Sequence, residues 1–223
     1  MPSADGSGDT GCQDAFAAGN EPCNGTGNLI IGYSEDDTGG TLYRTGSHNL
    51  IVGSSNSWRG YANVAFGYRN NVTGTALSVT GGWFNTARGL STSVSGGTGN
   101  QALDEGSWIG GGYGNAAGYY ATVAGGNGNF AENDSTVAGG SSNYSFMRGI
   151  VSGGSFNSAI RGGSIMGGSS NRASGGSVVG GADNAAFNGG AILGGSSNTA
   201  QGAGTVVTGG TGNINTVPNS VVP

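Results

Sequence analysis

Residues 177–200 read SVVGGADNAAFNGGAILGGSSNTA. One phrase occurs twice in this stretch: two apolar residues, Gly-Gly, two variable residues, Asn, one variable residue, Ala. Outward from it, Gly-x-x-Asn recurs with its Asn at 56, 70, 85, 100, 115, 129, 143, 157, 171, 184, 198 and 213, at intervals of 13 to 15 residues. So regular an internal period is the signature of a repeat architecture.

Two further columns align on that Asn. Six residues upstream stand Leu50, Val64, Val79, Val94, Ile109, Val123, Val137, Val151, Ile165, Val178, Ile192 and Val207, all aliphatic. Two residues downstream stand Trp58, Val72, Ala87, Ala102, Ala117, Ala131, Ser145, Ala159, Ala173, Ala186, Ala200 and Asn215. Interior Gly costs a helix about 1 kcal/mol per residue, and the β-branched column favours strand. The pattern therefore predicts an all-β parallel solenoid, a β-roll of about 12–13 coils. Each coil has two short strands, one carrying Val or Ile and one carrying Ala, around a thin core. Gly is expected where the small coil turns with φ > 0. The Asn is expected to tolerate the left-handed region and to bond along the stack. In the first of each Gly pair, the early coils have Val52 and Phe66 instead, which predicts a fatter core at the start.

The limits of the array come from composition. Gly is 51 of 223 residues, roughly three times the usual share. Pro cannot donate to a β ladder, and all four prolines (Pro2, Pro22, Pro218, Pro223) lie outside 49–213. The expected organisation is an acidic irregular cap over 1–27, a first coil with an inserted loop over 28–48, the repeat over 49–213 and a tail over 214–223. NLIIG at 28–32 matches NLIVG at 49–53, which identifies that first coil. Cys12 and Cys23 sit close together in the cap, and a local disulfide in an oxidising compartment is the expectation. An extracellular or surface-displayed chain follows, whose signal segment is absent from these residues.

Charge excludes several functions. The net charge is −5 and every basic residue is Arg, which argues against a nucleic-acid partner. No stretch approaches the roughly 20 apolar residues of a membrane span. The single histidine, His48, sits in a turn-like RTGSHN, and Glu35-Asp36-Asp37 reads as a solvated loop. No cluster of titratable groups suggests catalysis, so no enzyme, no cofactor and no metal are expected.

Alternation along the strands defines the outward faces. Flanking the Val column are Ser78, Thr80, Ser93, Ser95, Thr122, Ala124, Thr136, Ala138, Ser164, Met166, Val179 and Leu193, with Asn49 and Asn63 assigned to the same rank. That face carries no charge. The face flanking the Ala column is mixed, with Arg59, Arg88, Phe130, Glu132, Tyr144 and Arg172. Aromatic residues at turn positions, Trp83, Phe84, Tyr113 and Phe156, and the pair Phe130 and Tyr144 on neighbouring coils, are candidate ligand-binding rings.

The phrase SVVGGADNAA and its kin resemble the head repeats of YadA-like trimeric autotransporter adhesins. The resemblance covers about 49–213. It implies a left-handed parallel β-roll with a 14-residue repeat, three of which pack side by side, and hence self-association as a trimer and an adhesive role toward a glycan or a host or matrix protein. Here Gly-Gly-x-x-Asn stands where that family commonly has Ala. SSNTAQG at 196–202 and WFNTARG at 83–89 also resemble the half-repeat of grass ice-recrystallisation inhibitors. That second resemblance implies an alternative, binding to ice through the flat Ser/Thr/Ala face. A monomer rarely leaves a long uncharged strip uncovered, so the neutral face is the expected interface.

Overall fold

The computed structural model describes residues 27–32 and 43–223. Cys12, Cys23 and the acidic run at 35–37 lie outside the described residues. The chain is a parallel β-solenoid of about 13 turns, with two strands per turn and no helix among the described residues. Its contacts group into two units, one ending at Gly114 and one beginning at Asn115.

In the first unit the Val-side sheet contains Leu29–Ile31, Leu50–Ser54, Val64–Tyr68, Ser78–Val79, Ser93–Val94 and Trp108–Ile109. The Ala-side sheet contains Arg44–Ser47, Ser57–Tyr61, Asn71–Thr75, Thr86–Leu90 and Gln101–Ala102. Leu29 pairs with Leu50, so residues 28–32 are the first coil, as the matching phrases require. In the second unit the Val side runs from Thr122–Val123 to Val221–Val222, and the Ala side from Ala116–Ala117 to Ile214–Asn215. The array thus continues past 213: Ile214–Asn215 pairs with Thr199–Ala200, and Val221–Val222 pairs with Val206–Val207. The cyclic Pro218 falls in the turn between these last two strands, where no ladder donor is lost.

The core is the pair of columns. Val79, Val94, Ile109, Val123, Val137, Val151, Ile165, Val178, Ile192 and Val207 are buried, and so are Ala87, Ala102, Ala117, Ala131, Ala159, Ala173, Ala186 and Ala200. The first two coils of the 49–213 repeat differ from expectation by one residue. Ile51 and Ala65 are the buried residues there, in register with Val79, while Leu50 and Val64 face outward with Ser78. Val52 and Phe66 alternate with the core positions and therefore also face outward. The thicker early core comes from the other side, where Trp58 and Val72 take the place of Ala.

The recurrent Asn does not itself turn the chain. The residue before it does: Ser55, Arg69, Phe84, Ser142, Phe156, Ser170, Asp183 and Ser197 all have φ of 53° to 56°. The Asn is buried and closes the corner. Asn143 Oδ1 accepts from the Asn157 backbone N–H at 3.0 Å, and Asn143 Nδ2 donates to Gly139 O and to Gly154 O in the next coil, both at 2.9 Å. The Asn143 side chain thus pairs the Asn157 N–H and the Gly139 carbonyl, and shares the Gly154 carbonyl with the Ser141 N–H. The same pattern repeats through Asn56, Asn70, Asn85 and Asn100 in the first unit, and from Asn115 to Asn213 in the second.

The two glycines of each pair have different jobs. A Cβ on Gly154 (φ +84°) would collide with the backbone of Gly168 and with Asn157 Nδ2, whereas a Cβ on Gly153 would meet nothing within 4 Å. The second Gly therefore permits the close approach of successive coils, and the first is a spacer.

Candidate binding surfaces

Three surfaces remain once the core and its corners are assigned. The first is the outer Val-side sheet. In the second unit it presents two ranks per strand, Thr122 with Ala124, Thr136 with Ala138, Ile150 with Ser152, Ser164 with Met166, Ser177 with Val179, and Ala191 with Leu193. The side chains alternate about the buried column, which is why none of them reaches the core. No charged residue occurs in either rank. The strip becomes apolar along the chain: Ile150 is 49% exposed, Met166 61%, Val179 43% and Leu193 52%.

The first unit's Val-side surface has a different gradient. It starts apolar with Leu29 and Ile31, both more than half exposed, and passes through Leu50, Val52, Val64 and Phe66. It then becomes hydroxyl-bearing at Ser78, Thr80, Ser93 and Ser95. Thr80 Oγ1 donates to Ser95 O at 3.0 Å, so this hydroxyl is already engaged by the next coil. Asn49 and Asn63 are absent from this surface. They are buried corner residues, and the one-residue register difference explains their move.

The second surface, over the Ala side, is uneven. Phe130 and Tyr144 stack with centroids 5.4 Å apart and planes 4° apart. Arg172 lies 5.6 Å from the Phe187 ring centroid. At the turn after this sheet, Asn133, Asp134, Met147, Arg148 and Arg161 line a cleft of about 320 Å³. Among the described residues no three His, Cys, Asp or Glu side chains group to hold a metal. Among the described residues no helix is long and apolar enough to cross a membrane. His48 is an exposed turn residue at φ +57°, with its ring 5.0 Å from Tyr61.

The third surface is a corner that the pattern of columns does not announce. Between the Val side and the Asn, one residue per coil makes a single parallel bridge to the next coil. In the first unit this ladder is Tyr68, Trp83, Thr98 and Tyr113; in the second it is Asn127, Ser141, Ser155, Ser169, Ala182, Ser196 and Thr211. Trp83 and Tyr113 thus belong to one row, and Phe84 and Phe156 occupy the left-handed position beside it. All four are exposed: Trp83 59%, Phe84 47%, Tyr113 63% and Phe156 66%. Tyr68 joins this group, edge-on to Trp83 at 6.1 Å and to Phe84 at 6.0 Å. Its membership was readable in Gly-Tyr-Arg-Asn at 67–70, the same phrase as Gly-Trp-Phe-Asn at 82–85.

With this geometry in place, no family model and no curated protein matches the chain.

Proposed function

We propose that the protein is a non-enzymatic structural and adhesive β-roll, extracellular or surface-displayed, that self-associates through the outer Val-side sheet of its second unit. The assembly is a trimer by the YadA-like resemblance, and its partners are a surface, a glycan or another protein. One observation carries the reading. From Thr122 to Thr208 both outward ranks lack charge, and Ile150, Met166, Val179 and Leu193 stand exposed on consecutive coils. A flat, apolar, uncharged sheet surface is costly to leave in water, and covering it with a second copy removes that cost.

The test is solution mass by sedimentation. The wild-type chain should sediment at about three times the monomer mass at micromolar concentration, and Val179→Arg with Leu193→Arg should sediment as a monomer. A wild type that remains monomeric across the concentration series refutes the interface. A second reading has its own support in Thr122, Ala124, Thr136 and Ala138, where small residues repeat at rung spacing, as an ice plane requires. That reading predicts faceted crystal growth and slowed recrystallisation in ice containing the protein; disc-shaped growth at unchanged rate removes it.

A further inference from the structure

We propose that the corner row of the first unit is a binding platform for an extended, uncharged β-1,4-linked polysaccharide, with Trp83 and Tyr113 each stacking on a sugar ring. The proposal rests on the adhesive half of the function above, and not on self-association: the row is on another surface and in another unit.

The row has the geometry of a periodic ligand. Trp83, Thr98 and Tyr113 are joined by consecutive parallel bridges, so the two rings stand two rungs apart at about 4.8 Å per rung. In an extended β-1,4-linked chain each pyranose advances by about one such rung, and every second ring turns the same face to one side. A chain lying along the row therefore presents equivalent faces to Trp83 and to Tyr113, with the intervening sugar over Thr98. The floor between the rings is nearly bare. Gly97 and Gly99 flank Thr98, and Gly112 and Gly114 flank Tyr113, so Thr98 is the one side chain between the two rings along the row. The Thr98 hydroxyl offers a hydrogen-bond partner to the middle sugar.

The Trp83 ring is also held in place. Tyr68 meets Trp83 edge-on, with planes 74° apart, and the Arg69 guanidinium lies 5.1 Å from the Tyr68 centroid and 5.5 Å from Phe84. A braced ring loses less freedom when a ligand docks. Aromatic faces attract the C–H faces of pyranoses without any charge, which suits a corner whose one cation is engaged by two rings. A stacked nucleic-acid strand would use similar rings, but its phosphates need basic neighbours, and the chain has no lysine and a net charge of −5.

The experiment is isothermal titration of the full chain with cellohexaose and, separately, chitohexaose, using maltohexaose as the α-1,4-linked control. The two β-linked arms distinguish a glucan from an N-acetylated source. Binding of at least one β-linked hexamer is expected, with maltohexaose silent and with cellobiose or chitobiose, which reach only one ring, weaker by about tenfold or more. Trp83→Ala and Tyr113→Ala should each weaken binding by about tenfold, whereas Phe156→Ala, an exposed ring in the other unit, should leave it unchanged. The circular dichroism of these exposed-site variants should match wild type. The monomeric Val179→Arg, Leu193→Arg chain should bind as wild type does, which separates this site from the interface. Silence toward both β-linked hexamers, equal binding of maltohexaose, or binding that survives both ring substitutions overturns the proposal.

Discussion

The early coils of the first unit and the coils of the second solve the same problem differently. Asn49, Asn56, Asn63 and Asn70 are seven residues apart, so each early coil is two equal halves, and both corners are closed by Asn. Asn63 accepts from the Leu77 N–H at 3.0 Å and donates to Gly74 O at 3.0 Å, repeating on one corner what Asn56 and Asn70 do on the other. This second ladder runs from Asn28 through Asn49 and Asn63 and stops at Leu77. In the second unit, six residues separate Asn129 from Ser135 and eight separate Ser135 from Asn143. The shorter half ends at Gly149, Gly163, Gly176 and Gly190 in the next four coils, where the backbone passes so close to the Ala strand that a Cβ would collide with it. A corner can thus be filled by an amide or collapsed onto a glycine, and the two need different chain lengths. The eight-residue half has its extra residue at the open first Gly of the pair, as Gly81 shows: Gly67 abuts Gly82, and Gly81 faces empty space.

The largest effect should come from the paired glycines. Gly154→Ala should cost about 4 kcal/mol, because a left-handed backbone and two rigid neighbours oppose the methyl group. Gly153→Ala should change stability by no more than about 0.5 kcal/mol. Urea unfolding of the two variants measures the difference, and equal costs would remove the distinction between spacer and contact glycine.

Next comes the test of whether the two corners are interchangeable. Asn63→Gly installs the second unit's residue in a seven-residue half-coil that is too long to collapse. The Leu77 N–H is then left without its partner, at a cost of about 2 kcal/mol. A neutral Asn63→Gly would mean that the amide is ornamental at that corner. A smaller effect sharpens the core. Ser145 interrupts the Ala column, and its buried hydroxyl has no partner. Ser145→Ala should stabilise the chain by about 1 kcal/mol, read as a higher melting temperature.

The solenoid was legible because two columns and one polar residue repeat at nearly constant spacing. From Val79 onward, a fixed offset of six from the Asn finds the core. The offset misplaces Leu50 and Val64 because the early half-coils lack the spacer glycine, so the core residue lies five before the Asn. The seven-residue run of Asn49, Asn56, Asn63 and Asn70 held that information, and the fourteen-residue period masked it. The outward ranks beyond Ser78 follow from alternation alone. The aromatic corner row does not, since a one-residue bridge leaves no hydrophobic pattern; its only trace is the recurrence of rings at one variable position, Tyr68, Trp83 and Tyr113. Which residue turns left-handed is also invisible in the Asn column, because the backbone dihedral belongs to the variable residue before it.

The most direct measurement is amide hydrogen exchange in Asn157→Ala. The ladder has a direction: Asn157 Oδ1 accepts from Asn171 N–H, while residue 157's own N–H is held by Asn143 Oδ1. The amide of Asn171 should exchange about ten to a hundred times faster than in wild type, with the amide at 157 nearly unchanged. Equal acceleration on both sides, or none at Asn171, would contradict a stack held in register by its asparagines.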